Sequence, residues 1–147
     1  MYRGERAQRF YTRFGGEMKR EFRDKLRSLQ VAVVYLFGSR ANRRASPLSD
    51  TDIGVVFREM RPGQDTREPY NLLFPIFSDL YPGSRVDIVF LQQAPLALQF
   101  SAIRDGRVIF EQDSVFRADY ESLVVKQYLD FRPVLDFFDR VAAERYA

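Results

Sequence analysis

Three aspartates in this chain are spaced so that they could act together on a phosphate group. Asp50 and Asp52 open an apolar run that ends at Phe57, and Asp87 lies inside a second apolar run. Side chains two residues apart on a strand point to the same face, so Asp50 and Asp52 can converge on one divalent cation. Asp87 can join them from a neighbouring strand. The pattern predicts a carboxylate-lined cation site at the edge of a sheet.

The cation expected at such a site is Mg²⁺. Clustered carboxylates repel one another and stay ionised together only around a positive charge. Mg²⁺ prefers hard oxygen ligands and is usually bound by a few carboxylates together with the phosphates of a substrate. Two such ions, with Mn²⁺ as the alternative metal, would stabilise the attacking and leaving oxygens of an in-line displacement at phosphorus. The expected substrate is a nucleoside triphosphate such as ATP.

A Gly-Ser pair supplies the expected nucleotide-binding half of the site. Gly38 and Ser39 follow the apolar run Val31–Phe37. Glycine permits a tight turn and close approach of the backbone to phosphate, and Ser39 is suited to cap a helix whose N-terminus faces the phosphates. Arg40 is a candidate phosphate contact. A lone Asp-x-Asp is usually a solvated strand end and a lone Gly-Ser a turn, but their combination with a third aspartate favours the nucleotide site.

The elements that must position these residues follow from the apolar periodicity. Strands are expected at Val31–Phe37, Asp52–Phe57, Arg85–Leu91 and Arg107–Glu111. Helices are expected up to Leu29 and over Arg67–Tyr81, Pro95–Asp105 and Ser114–Tyr146. In the second of these, Leu72 and Leu73 are among the residues expected to face inward. In the last, a break or kink is expected near Pro133. The predicted fold class is α/β (α+β), a small mixed β-sheet of about four strands flanked by helices, with a long C-terminal helical segment.

The length of 147 residues is that of one domain. Within it we expect an N-terminal helical region over residues 1–29, a catalytic core over 31–111 and the helical segment over 114–146. Cysteine and histidine are both absent. Disulfides, thiolate catalysis, and catalysis or metal binding by histidine are therefore excluded. Acid–base catalysis and metal binding must then be performed by carboxylates. The sequence has no long apolar run and no signal-like start, which predicts a soluble, cytoplasmic protein that does not enter a membrane.

The positive charge is concentrated near the N-terminus. Residues 1–28 carry nine Lys or Arg against four Asp or Glu, whereas the whole chain has a net charge of +3. Four arginines in this region recur at helical spacing: Arg3, Arg6, Arg9 and Arg13. This basic stripe is either a solvated helix face or a surface for nucleic acid or an acidic partner.

The C-terminal segment is more apolar than one helix face requires. One face is formed by Tyr120, Val124, Tyr128, Phe131, Leu135 and Phe138, and a second group lies off it: Leu129, Val134, Phe137 and Val141. Either both groups pack on the domain's own sheet and N-terminal helix, or one of them meets a partner protein.

The combined pattern resembles the minimal nucleotidyltransferases (MNT) of the DNA polymerase beta-like superfamily, whose signature is Gly-Ser, a spacer, Asp-x-Asp and a distal Asp. The residues that match are Gly38, Ser39, Arg40, Ala41, Pro47, Ser49, Asp50, Asp52 and Asp87. Many members have a glycine in the short helix, where this chain has Asn42, Arg43 and Arg44. The resemblance implies the nucleotidyltransferase fold. It also implies catalytic and metal-binding roles for Asp50, Asp52 and Asp87, and nucleotide-binding roles for Gly38, Ser39 and Arg40.

The same resemblance implies a biological role. Small members of this family stand beside HEPN toxin ribonucleases in prokaryotic toxin–antitoxin pairs, which implies an antitoxin that transfers AMP from ATP to a tyrosine of its HEPN partner. The ending Tyr128–Arg140 looks like the C-terminal helix of such antitoxins. Three alternatives remain open: an antitoxin that acts by binding alone, a nucleotidyltransferase of a small-molecule acceptor, and a nucleic-acid-binding module that uses the N-terminal arginines.

Overall fold

The computed structural model describes residues 18–38 and 50–146. Its elements are α1 (Arg20–Ser28), β1 (Val31–Phe37), β2 (Thr51–Phe57), α2 (Arg67–Leu80), β3 (Val86–Phe90), a 3₁₀ turn (Leu91–Gln93), α3 (Leu96–Asp105), β4 (Arg107–Glu111) and α4 (Ser114–Tyr146). The predicted fold class is confirmed, and each of these helices and strands begins and ends within one residue of its prediction wherever a bound was predicted. The N-terminal arginine stripe lies outside the described residues.

The four strands form one mixed sheet in the order β3-β2-β1-β4. β1 is antiparallel to both β2 and β4, whereas β2 and β3 are parallel. α2 connects the two parallel strands and returns the chain to the edge from which β2 starts. The end of β1 and the starts of β2 and β3 therefore meet at one edge of the sheet.

Helices cover both faces of this sheet, which explains why β1 and β2 are buried along almost their whole length. On one face, α1 and α2 contribute Leu26, Leu73 and Phe77 to the core. On the other face, α3 and the first half of α4 contribute Ile103 and Val124.

The prediction for Leu72 was wrong. Its side chain is 48% exposed, whereas that of Leu73 is fully buried. The buried residues of α2 are Leu73, Ile76 and Phe77, an i, i+3, i+4 set. Leu72 precedes this set and points about 100° away from Leu73, so it lies outside the buried stripe.

Two buried tyrosines anchor the first half of α4. The Tyr35 hydroxyl on β1 donates to Glu121 Oε1 at 2.9 Å, and the Tyr120 hydroxyl donates to Gln99 Oε1 on α3 at 2.8 Å. Burial, followed by the nearby Glu121 carboxylate, raises the pKa of both tyrosines above its ordinary value. Both hydroxyls therefore stay protonated and act as donors at any physiological pH.

The second half of α4 extends beyond the domain. Helical structure is continuous through Pro133, so the expected break there is absent. Proline removes one backbone hydrogen bond, but on an exposed stretch the carbonyl that loses its donor can be hydrated. From Leu129 to Tyr146 every residue except Leu135 is exposed. Within the described parts of the chain, no helix is long and apolar enough to cross a membrane.

Candidate active site

The strand register brings two of the three predicted aspartates side by side. Asp52 on β2 is the register partner of Asp87 on β3, and it is also the partner of Phe37 on β1. Register partners on neighbouring strands point to the same face of a sheet. Asp87 is exposed and Asp52 is half-buried. The two carboxylates thus occupy adjacent positions at the sheet edge where β2 and β3 begin.

Gly38 lies against the Asp52 carboxylate. It has a positive φ of 74°, and a Cβ atom at this position would lie 2.1 Å from Asp52 Oδ2. A side chain of any size would collide with the carboxylate, and L-residues rarely adopt this backbone conformation. The turn after β1 therefore requires glycine for two separate reasons, and its backbone forms a wall of the carboxylate site.

The electrostatics of the cluster centre on Asp52. Burial raises the pKa of Asp52 above its ordinary value, and the charges of Asp87 and Asp50 raise it further. Asp50 is exposed and precedes β2 directly, so it lies close enough to influence Asp52 through space. Three negative groups at one edge create a local field that attracts a cation.

The joint metal-binding role of Asp50, Asp52 and Asp87 remains a prediction. Among residues 18–38 and 50–146, no three carboxylates converge closely enough to hold a metal ion. The donor chemistry still suits Mg²⁺ or Mn²⁺, because both accept carboxylate oxygens and take part of their ligands from water and substrate phosphates.

The remaining predicted site residues cannot be placed. Ser39 and Arg40 lie outside the described residues, as do Ala41, Pro47 and Ser49 of the spacer. The phosphate-binding role of the segment after Gly38 therefore remains a prediction.

Two polar residues that the sequence did not single out support this edge. Thr51 lies between Asp50 and Asp52, is fully buried, and its hydroxyl is 2.5 Å from the Ser84 hydroxyl. The Thr51 N–H also donates to the Arg85 carbonyl at 2.8 Å. A polar residue at the start of an otherwise apolar strand was the one available sequence signal.

A cavity of about 610 Å³ lies at the other end of β2. Its walls include Leu29, Phe57 and Leu73. It is separated from the carboxylates by the length of the strand, so it does not mark the site where the aspartates would act.

The sequence matches the family model described as polymerase beta, nucleotidyltransferase, over residues 20–115. That match covers more than half of the chain and contains every described residue of the site. The chain belongs to the polymerase beta nucleotidyltransferase family. None of the curated protein sequences matches it significantly.

Several solved structures share the fold of this nucleotidyltransferase. A chain of a toxin–antitoxin complex with AMP-PNP superposes with a TM-score of 0.65 at 22% identity, covering 81% of this chain and 94% of that chain. A double Asp→Glu variant of the toxin–antitoxin complex MntA–HpeT gives 0.63 at 20% identity, covering 81% and 93%. A chain of the complex of tri-AMPylated Shewanella oneidensis HEPN toxin with MNT antitoxin gives 0.58 at 20% identity, covering 85% and 99%. At these identities the likeness shows the fold.

The family match confirms the predicted enzyme class of this nucleotidyltransferase. Within the matched region, Asp52 and Asp87 lie in register beside Gly38. The residues that bind the acceptor do not follow from the fold.

Proposed function

We propose that this nucleotidyltransferase transfers AMP from ATP to a hydroxyl of a protein acceptor, a tyrosine of a partner HEPN toxin ribonuclease, and so acts as its antitoxin. The observation that carries the proposal is the register pairing of Asp52 with Asp87 beside Gly38, in a chain of the polymerase beta nucleotidyltransferase family. A divalent cation held by Asp50, Asp52 and Asp87, Mg²⁺ or Mn²⁺, would neutralise phosphate charge and polarise the reacting oxygens.

The chain's own residues account for binding and proton transfer. The acceptor oxygen forms a bond to the α-phosphorus while the bond from that phosphorus to the α,β-bridging oxygen breaks, and pyrophosphate leaves. The hydroxyl proton must leave the acceptor as the new bond forms, and Asp87, an exposed carboxylate in register with Asp52, would accept it. The glycine turn at Gly38 allows the triphosphate to come close to the backbone.

The protein acceptor is supported by solved structures of this fold. One toxin–antitoxin complex contains AMP-PNP, and another contains an AMPylated HEPN toxin with an MNT antitoxin. The exposed apolar residues of the second half of α4 support it further, because they give this chain a surface that a protein partner could bind.

α4 provides the surface with which such a partner would be bound. Phe131 is 47% exposed and Phe138 is 62% exposed, and both lie on the same helix face as the buried Tyr120 and Val124. The face that seals the domain in the first half of α4 thus continues as a solvent-facing apolar stripe in the second half. An apolar stripe that extends beyond its own domain is typical of a protein–protein interface.

The test is transfer of label from ATP labelled at the α-phosphate, with Mg²⁺ present, to proteins of the host extract. Asp50→Asn and Asp52→Asn should each abolish the label on one small protein, whose modified residue is then identified by mass spectrometry. Gln92→Met is the matched control. Gln92 lies in the 3₁₀ turn after β3, and its side chain bonds Phe57 at the end of β2 away from the aspartates, so this variant should label normally. Label that persists in both aspartate variants would overturn the proposal. A partner that co-purifies but is never labelled would instead indicate an antitoxin that acts by binding alone.

A further inference from the structure

We propose that the hydroxyls of Thr51 and Ser84 form a positioning pair that sets the separation between the β2 aspartates and Asp87, and so tunes how tightly the site binds a metal–nucleotide complex. The inference rests on the proposed function, because it concerns the same carboxylates. It assigns a role to two residues that touch neither the nucleotide nor the metal.

The geometry places this pair directly behind the carboxylates. Side chains alternate along a strand, so Thr51 points away from the face that carries Asp52 and into the core beneath it. There it is fully buried, and its hydroxyl oxygen is 2.5 Å from that of Ser84. Thr51 is bonded covalently to both Asp50 and Asp52. Any displacement of Thr51 is therefore passed to both carboxylates.

Ser84, the other member of the pair, lies just before β3. Its N–H donates to the Tyr81 carbonyl at 3.2 Å, within the turn that joins α2 to β3. Asp87 follows three residues later, and the Thr51 N–H donates to the intervening Arg85 carbonyl at 2.8 Å. One side-chain contact and one backbone hydrogen bond thus join the start of β2 to the approach to β3. The β2–β3 ladder fixes the pairing of the strands, and the hydroxyl pair holds their starts at a narrower spacing.

The spacing matters because Asp52 on β2 and Asp87 on β3 are register partners close to the starts of their strands. The separation of the two strand starts therefore sets the distance between the two carboxylates. Residues behind a metal site typically change metal affinity by about 10- to 100-fold when they are altered. A buried hydroxyl contact between two strand starts is well placed to have an effect at the lower end of that range.

The experiment measures the binding of Mn²⁺ alone to the protein, by the loss of the electron paramagnetic resonance signal of free Mn²⁺ as protein is added, so turnover is not needed. Thr51→Val keeps the side-chain shape and removes the hydroxyl, and Ser84→Ala removes its partner. Each should weaken Mn²⁺ binding by about tenfold. The double variant should be no weaker than either single variant, because both remove the same contact. Thr51→Ser should bind Mn²⁺ as the wild type does.

The matched control is Gln92→Met. The Gln92 side chain accepts a hydrogen bond from the Phe57 N–H and donates one to the Phe57 carbonyl, each at 2.8 Å. It thereby fixes the other end of β2. This variant should lower the melting temperature and leave Mn²⁺ binding unchanged. Equal weakening by Gln92→Met would overturn the inference, because general loosening of the sheet would then be the cause.

Two further outcomes separate the inference from the proposed function. If Thr51→Val and Ser84→Ala bind Mn²⁺ like the wild type while Asp52→Asn does not bind it, the inference fails and the proposed function stands. If the wild type binds Mn²⁺ no better than Asp52→Asn, the proposed function fails and the inference fails with it. Ser84 is only half-buried, so its alanine variant should fold even if Thr51→Val does not.

Discussion

Asp52 is the register partner of Asp87 across the parallel pair β2–β3, and across the antiparallel pair β1–β2 it is the partner of Phe37, the residue before Gly38. It therefore lies at the centre of the sheet edge, between the glycine turn and the distal aspartate. Burial and two neighbouring carboxylates raise its pKa. The properties of the site follow largely from this one central position.

The first prediction concerns the cost of ionising Asp52 without metal. A carboxylate whose pKa is raised by folding destabilises the fold while ionised, and that cost disappears as pH falls through the raised pKa toward the ordinary value of 3.8. In the presence of EDTA, Asp52→Asn should therefore increase the free energy of unfolding at pH 7. The side chain is partly exposed and screened by water, so we expect a gain below about 1 kcal/mol.

This gain should shrink as the pH is lowered toward 4, which urea denaturation at a series of pH values can measure. Asp79→Asn, at an exposed position on α2, is the control for losing one negative charge. An Asp52→Asn variant that is less stable than wild type at pH 7, or a difference that grows with acid, would contradict the proposed electrostatics.

The second prediction separates backbone strain from collision at Gly38. Gly38→Ala places an alanine in a left-handed backbone conformation, which strains it. It also places a Cβ atom 2.1 Å from Asp52 Oδ2. We expect transfer activity to fall by about 100-fold or more, because a displacement near 1 Å in an active site has effects of that size. Gly63→Ala has a similar φ of 72° but meets nothing within 4 Å. It should cost about 1 kcal/mol of stability and leave activity unchanged.

Activity assays and urea denaturation on both glycine variants decide the matter. If Gly63→Ala and Gly38→Ala lose activity to the same degree, the contact between Gly38 and Asp52 has no special role. If Gly38→Ala is fully active, the glycine turn does not form a wall of the site.

The architecture could be predicted from the sequence because its strands are continuous apolar runs bounded by clear turns. Val31–Phe37 and Arg107–Glu111 were located to the residue for this reason. The pairing of Asp52 with Asp87 is a different matter. Register depends on the whole β2–β3 ladder and on Thr51 and Ser84, which meet only after the chain has returned through α2. Local patterns contain no information about such a contact.

Helix details were predicted less well than strand positions, for physical reasons. The pattern of apolar residues could not tell that Leu73 faces the sheet and Leu72 does not, because both fit an apolar helical stripe and the packing of the folded domain decides where that stripe ends. The break expected at Pro133 is absent because tolerance of proline depends on whether the helix around it is exposed, and exposure is a property of the folded domain.

The third prediction compares the two tyrosine anchors of α4. Tyr35→Phe removes a buried hydrogen bond to the Glu121 carboxylate and should lower the free energy of unfolding by about 1.5 to 3 kcal/mol, since bonds to charged groups are the stronger kind. Tyr120→Phe removes a bond to the neutral Gln99 amide and should cost about 0.5 to 1.5 kcal/mol. Urea denaturation at pH 7 measures both. A larger loss for Tyr120→Phe would show that the charge of Glu121 is not the decisive factor.

The fourth prediction tests the exposed stripe of α4. Phe138→Glu places a charge on the helix face that carries Tyr120 and Val124 in the first half of α4. It should reduce capture of the HEPN partner by at least about tenfold. Stability should change by less than about 0.5 kcal/mol, because the side chain is 62% exposed. Leu129→Glu, nine residues earlier and so on the opposite side of the helix, is 54% exposed and should capture the partner normally. Pull-down with equal amounts of each variant makes the comparison, and equal loss in both would argue against a defined docking face.

The most direct test of the central claim is the intact mass of the purified HEPN partner after incubation with this protein, Mg²⁺ and ATP. The account predicts a mass gain of one or more AMP groups on the partner with wild-type protein. It predicts no gain with Asp52→Asn or Asp87→Asn, although both variants still bind the partner. A partner that stays unmodified with the wild-type protein, or that is modified equally well by the aspartate variants, would contradict the assignment of AMP transfer to this sheet edge.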